Sequence, residues 1–112
     1  MSMEKILEQT LLYDFYGELL TDHQKQVYED VVLNDYSLSE VAEERGISRQ
    51  GVHDLVKRCN RILQDYESKL HLVEKFVAIK EQVERMEASL QGTEQTDREE
   101  LVRQLNGILE NL

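Results

Sequence analysis

The sequence predicts an all-α protein: a three-helix helix-turn-helix core, one helix before it and a long helical extension after it. Three observations lead there. The 112 residues contain no proline and only five glycines, and the good helix formers Leu, Glu, Gln, Lys and Arg dominate. Apolar residues recur at steps of three and four along most of the chain. The run from Leu38 to Lys57, LSEVAEERGISRQGVHDLVK, places small or apolar residues where two short helices joined by a tight turn must touch.

The first element covers residues 1–20. Ile6, Leu7, Leu11, Leu12, Phe15, Leu19 and Leu20 share one face of a helix over 3–20 and are expected to pack on the domain. The alternative is a docking face for a partner helix. Thr21 followed by Gln24 resembles a capping box and opens a second helix to about Asn34, with Val27, Tyr28, Val31 and Val32 inward. Asn34 to Tyr36 is a turn, and Ser37 with Glu40 caps the next helix.

The central motif follows, within a helix-turn-helix segment of residues 21–68. Ala42 is small enough to allow a steep helix crossing, and Gly46 can adopt the left-handed conformation that ends a helix sharply. Ser48 can accept backbone N–H bonds and start the following helix. Ile47, Val52 and Leu55 fall inward, as do Val56, Cys59, Ile62, Leu63 and Tyr66 further along. Cys59 there reads as a small buried hydrophobe.

The extension, 69–112, continues the helical pattern with a bend between Glu67 and Leu72. Phe76, Ile79, Val83, Met86 and Leu90 form a seam of about two heptads, which is expected to pack on the N-terminal helix or on a second copy. A loop at 91–96 leads to a last helix, capped by Thr96 with Glu99 or Asp97 with Glu100. Leu101, Leu105, Ile108 and Leu112 form its apolar edge.

Composition narrows the function. One cysteine cannot make an intramolecular disulfide, which fits a reducing cytosol. The N-terminus mixes acidic and polar residues with its apolar ones and is neither a signal peptide nor a membrane span. A cytoplasmic protein is expected. His23, His53 and His71 stand apart without ligand spacing, so neither metal nor cofactor is expected. No phosphate loop or nucleophile elbow is present, and no enzyme activity is expected.

What remains is the motif's own chemistry. In helix-turn-helix docking the early residues of the second helix face base edges in the major groove. Here Ser48, Arg49, Gln50, His53 and Asp54 come first, with Lys57, Arg58 and Arg61 following for phosphates. From Arg45 to Arg61 five basic residues (45, 49, 57, 58, 61) oppose one acidic residue (54), a local charge of +4 in a chain of net −10. The rest therefore carries −14. Across residues 21–68 the balance is six basic to ten acidic residues, −4, so binding by a monomer should be weak and salt-sensitive. Two readings stay open: a nucleic-acid-binding regulator and a protein-binding unit. The Phe76–Leu90 seam adds the expectation of a homodimer, which would double the basic helix.

The run from Leu20 to Leu63 resembles region 4 of bacterial sigma factors, through SLSEVAEERGISRQGVHDLVKR. The chain as a whole resembles the YlxM family of small Gram-positive proteins. That likeness rests on Tyr13 to Gly17, Leu19 to Thr21, Asp35 to Ala42, Ile47 to Asp54 and Tyr66 to Leu70. The resemblance implies an all-α regulatory protein associated with the signal recognition particle pathway, because the family's genes neighbour that of the particle's GTPase. Together with the motif's own chemistry, it leaves DNA, the particle's RNA or the particle's protein as the expected partners. Two residues depart from the sigma pattern. Arg45 precedes the turn glycine where an apolar residue is usual, and Gly51 sits inside the second helix at a cost of roughly 1 kcal/mol relative to alanine.

Overall fold

The computed structural model describes residues 3–92 and 97–112. Among these, every regular element is helical: α1 (Met3–Tyr16), α2 (Asp22–Tyr28), α3 (Leu38–Arg45), α4 (Arg49–Leu70), α5 (Leu72–Gln91) and α6 (Arg98–Glu110). A 3₁₀ turn, Gly17–Leu19, follows α1, and a π-wound segment, Glu29–Leu33, follows α2. Two compact units form, one up to Leu70 and one from His71 onward. The helical pattern breaks within the stretch from Glu67 to Leu72, at His71, which takes a left-handed conformation with φ +56°.

The helix ends of the first unit are fixed by local chemistry. Thr21 and Gln24 form a reciprocal capping box, with N–H to side-chain distances of 3.2 and 3.0 Å. The Ser37 hydroxyl accepts the Glu40 N–H at 3.1 Å and starts α3. Gly46 ends α3 at φ +70°, and the Ile47 N–H reaches back to the Ala42 carbonyl at 3.1 Å. Ser48 Oγ then accepts the Gly51 N–H at 2.9 Å to start α4. A Cβ at residue 51 would lie 3.1 Å from that same Oγ. Glycine inside α4 is thus matched to the cap.

The motif closes on a core of Val27, Val41, Ala42 and Val52, flanked by Val31, Leu38, Leu55 and Val56. Cys59 and Leu63 continue the buried stripe of α4. Ile47 departs from expectation. It stands at the turn, just after the left-handed Gly46, and is 37% exposed.

The larger correction concerns α1. The helix ends at Tyr16, not Leu20, and its buried face is Gln9, Leu12 and Tyr16, followed by Leu20 after the turn. Ile6, Leu7, Phe15 and Leu19 are exposed, Leu7 at 58% and Leu19 at 55%. Aromatic hydroxyls explain the rotation. Tyr16 is 1% exposed, donates to Glu67 Oε1 at 2.5 Å and stacks on Tyr66 with ring centroids 6.0 Å apart. Tyr13 stacks on Tyr28 at 5.3 Å and donates to Glu29. A buried Tyr16 ring and a half-buried Tyr13 ring, both with their hydroxyls hydrogen-bonded, outweigh a purely aliphatic face. Gly17 makes room for the Tyr13 ring, which would lie 2.8 Å from a Cβ at that position.

Burial raises the hydroxyls of Tyr13 and Tyr28 well above their ordinary range. It also pushes the Cys59 thiol up to about 11, with Arg58 opposing weakly. Because the thiolate is the reactive form, Cys59 is expected to resist a disulfide-exchange reagent at pH 8 in the native protein and to react at once in denaturant. Rapid native labelling would contradict its burial.

In the second unit α5 packs on α6, while Phe76, Val83 and Leu90 of the seam stay exposed. Asn111 Nδ2 donates to Gln82 Oε1 at 3.0 Å across the pair. Asp97 caps α6 through the Glu99 N–H at 3.2 Å, whereas the alternative cap at Thr96 lies outside the described residues. Neither helix contains a fully buried residue.

Candidate nucleic-acid interface

All of the expected contact residues lie on exposed surface at or after the start of α4: Ser48, Arg49, Gln50, His53, Lys57, Arg58 and Arg61. At about 100° per residue they do not form one stripe. Gln50, Asp54, Lys57 and Arg61 point directly away from the buried Val52–Cys59–Leu63 edge. Arg49 and His53 turn toward the Val56–Asn60 flank, and Arg58 toward the Leu55–Ile62 flank. The cations therefore wrap around the helix, a distribution suited to phosphates on both sides of a groove.

Several of these groups are already engaged. Ser48 Oγ is held by its cap. Gln50 Nε2 donates to Asp54 Oδ1 at 2.9 Å, and His53 Nδ1 stands 3.5 Å from the same oxygen. A base contact by Gln50 would first have to break that exposed bond, a small cost in water. Arg49, Lys57, Arg58 and Arg61 form no ion pair among the described residues. Their charge is open to a ligand.

Arg45, the fifth basic residue of the cluster, is not part of this surface. Its guanidinium donates to Gln26 Oε1 at 2.8 Å and to Asp30 at 3.3 Å, both on the preceding helical segment, with the ion pair partly shielded from solvent. The stem thus replaces the apolar contact expected before the turn glycine. Gln26 and Asp30 stand one helical turn apart, the signal in the sequence that could have revealed this pairing. Four cations remain for a partner, and Asp54 is partly occupied by Gln50.

Other chemistry is sparse. Among the described residues no three His, Cys, Asp or Glu side chains are grouped to hold a metal ion, and no described helix is long and apolar enough to cross a membrane.

A capped helix, a left-handed glycine turn and a second helix carrying exposed cations define a helix-turn-helix protein. Comparison with known families agrees: residues 3–105 match the family described as "Putative helix-turn-helix protein, YlxM / p13 like". The chain belongs to this family, UPF0122. It is 49% identical over 83 residues to a UPF0122 protein of Caldanaerobacter subterraneus, covering 74% of this chain and 71% of the relative. A UPF0122 protein of Thermoanaerobacter sp. is 42% identical over 96 residues, 86% of this chain and 82% of its own. One from Streptococcus gordonii is 47% identical over 77 residues, 69% and 70% of the two chains.

Proposed function

We propose that this chain is a regulatory, non-enzymatic nucleic-acid-binding protein that docks the outer face of α4 against a duplex. One observation carries the reading: Arg49, Lys57, Arg58 and Arg61 stand exposed and unpaired on the helix that follows a helix-turn-helix turn, in a chain otherwise strongly acidic. Gln50 and His53 are the candidates for base edges. The resemblance to YlxM proteins supports a role in the signal recognition particle pathway, with the particle's RNA as a second nucleic acid to test.

The test is affinity for duplex DNA and for the particle's RNA, comparing the native chain with Arg49→Ala/Lys57→Ala. Each lost phosphate contact removes about 0.9 from the slope of log affinity against log salt. The double variant is expected to bind at least about tenfold more weakly at low salt, with a slope shallower by about 2. Unchanged affinity and slope would rule out α4 as the reader.

The reading includes a homodimer through the second unit. The second unit (His71 to Leu112), with no buried side chain among its described residues and with Val83, Leu90, Leu105 and Leu112 each roughly half exposed or more, is too small to be stable alone. Pairing two hairpins as a four-helix bundle would cover these faces and supply two basic helices. Sedimentation equilibrium is expected to show a dimer at micromolar concentration, converted to monomer by Val83→Glu/Leu105→Glu. A native monomer at high micromolar concentration would contradict the dimer.

The second reading, an adaptor that binds protein and no DNA, is favoured by the exposed Leu7 and Leu19 on and just after α1. It predicts no nucleic-acid binding even at low salt.

A further inference from the structure

Beside α4, a cleft of about 240 Å³ opens against the first turns of α1. α4 lines it with Lys57, Asn60, Arg61 and Gln64, and α1 with Lys5 and Glu8. The four α4 residues follow the spacing i, i+3, i+4 and i+7, which gathers them on one helical face. Three cations meet one carboxylate, Glu8, so the cleft carries a formal charge of +2 in a chain of net −10. Charge of one sign held between two helix walls is focused more strongly than on an open surface.

Asn60 is set from within the core. Tyr28 is 0% exposed and donates its hydroxyl to Asn60 Oδ1 at 2.7 Å. The acceptor end of the amide is thus taken, and Nδ2, with no hydrogen bond to a described residue, is the end left for a ligand. The side chain is half-buried, so its position is fixed by packing as well as by the tyrosine. Gln64 adds an exposed amide one turn further on. Cations and amide donors around one hollow match the oxygens of a phosphodiester, which accept hydrogen bonds and donate none.

We infer that the cleft seats one backbone phosphate of the nucleic acid, with Lys57 and Arg61 supplying charge, Asn60 Nδ2 donating a hydrogen bond and Lys5 standing on the α1 side. The inference rests on the reading that α4 faces nucleic acid, and it extends the interface from α4 to α1. It also gives the interface a side. The cleft lies on the Asn60 flank, toward which Arg49 and His53 turn, so the seated phosphate belongs to the strand on that side. Arg58, on the opposite flank, is left for the other.

The test compares duplex-DNA affinity of the native chain at low salt with Asn60→Asp, Glu8→Gln and, as a control, Asp14→Asn. Asn60→Asp keeps an oxygen for the Tyr28 hydroxyl, so its melting temperature should stay close to native. It replaces the donor with a carboxylate, and affinity should fall at least about tenfold. Glu8 is exposed, and removing the cleft's one carboxylate should raise affinity about twofold or more. Asp14→Asn makes the same charge change on α1 at an exposed position outside the cleft, and should raise affinity less. Native affinity in Asn60→Asp, or equal gains in Glu8→Gln and Asp14→Asn, would overturn the cleft while leaving the nucleic-acid reading standing if Arg49→Ala/Lys57→Ala still weakens binding. A native chain that binds no duplex at low salt would overturn both.

Discussion

Replacing Tyr16 by alanine is expected to destabilise the first unit by about 3–5 kcal/mol, the range for truncating a buried aromatic. Tyr16 is 1% exposed and stacks on Tyr66, and its hydroxyl donates to Glu67 at 2.5 Å. It therefore ties the end of α1 to the last turns of α4, 51 residues away in sequence. Tyr16→Phe separates the two contributions. It keeps the ring and loses a hydrogen bond to a carboxylate, which is expected to cost about 1–3 kcal/mol. Urea unfolding followed by circular dichroism would measure both. A loss below about 1 kcal/mol for Tyr16→Ala would mean that α1 is not part of the cooperative unit.

Gly46→Val is expected to cost about 2 kcal/mol or more, through the backbone alone. A Cβ at this position would meet nothing within 4 Å, so crowding is not the cause. The residue holds φ +70°, a conformation costing about 1–2 kcal/mol for an ordinary L-residue and more for a β-branched one. Gly46→Asn should lose about 1 kcal/mol or less, because asparagine tolerates the left-handed region. Equal losses in the two variants would show that the conformation is not what the glycine provides. The consequence reaches function, since this residue sets the angle at which α3 presents α4.

The motif was legible in the sequence because its determinants are local. Thr21, Ser37, Gly46 and Ser48 act within four residues of themselves, and each is found in its expected role. The face of α1 was legible only in part: Leu12 and Leu20 are buried as expected. Counting apolar residues also favoured Leu7, Phe15 and Leu19, whereas the other buried positions went to Tyr16 and Gln9. Tyrosine becomes an inner residue only when a distant Glu67 accepts its hydroxyl, and no local pattern reports that. Arg45 follows the same logic: it counted toward the basic cluster until its contacts with Gln26 and Asp30 became visible. The positions of Arg49, Lys57, Arg58 and Arg61 could be read directly, since exposure on α4 follows from the buried stripe. The cleft beside α4 could not, as Lys5 and Glu8 come to it from α1, far away in sequence.

The most direct test of the central claim is the salt dependence of duplex-DNA binding by the native chain, followed by fluorescence anisotropy. With three of the four open cations on phosphates, affinity should fall about 40-fold between roughly 50 and 200 mM salt. Binding that strengthens or stays level over that range, or no binding at the lower salt, would contradict a nucleic-acid role for α4.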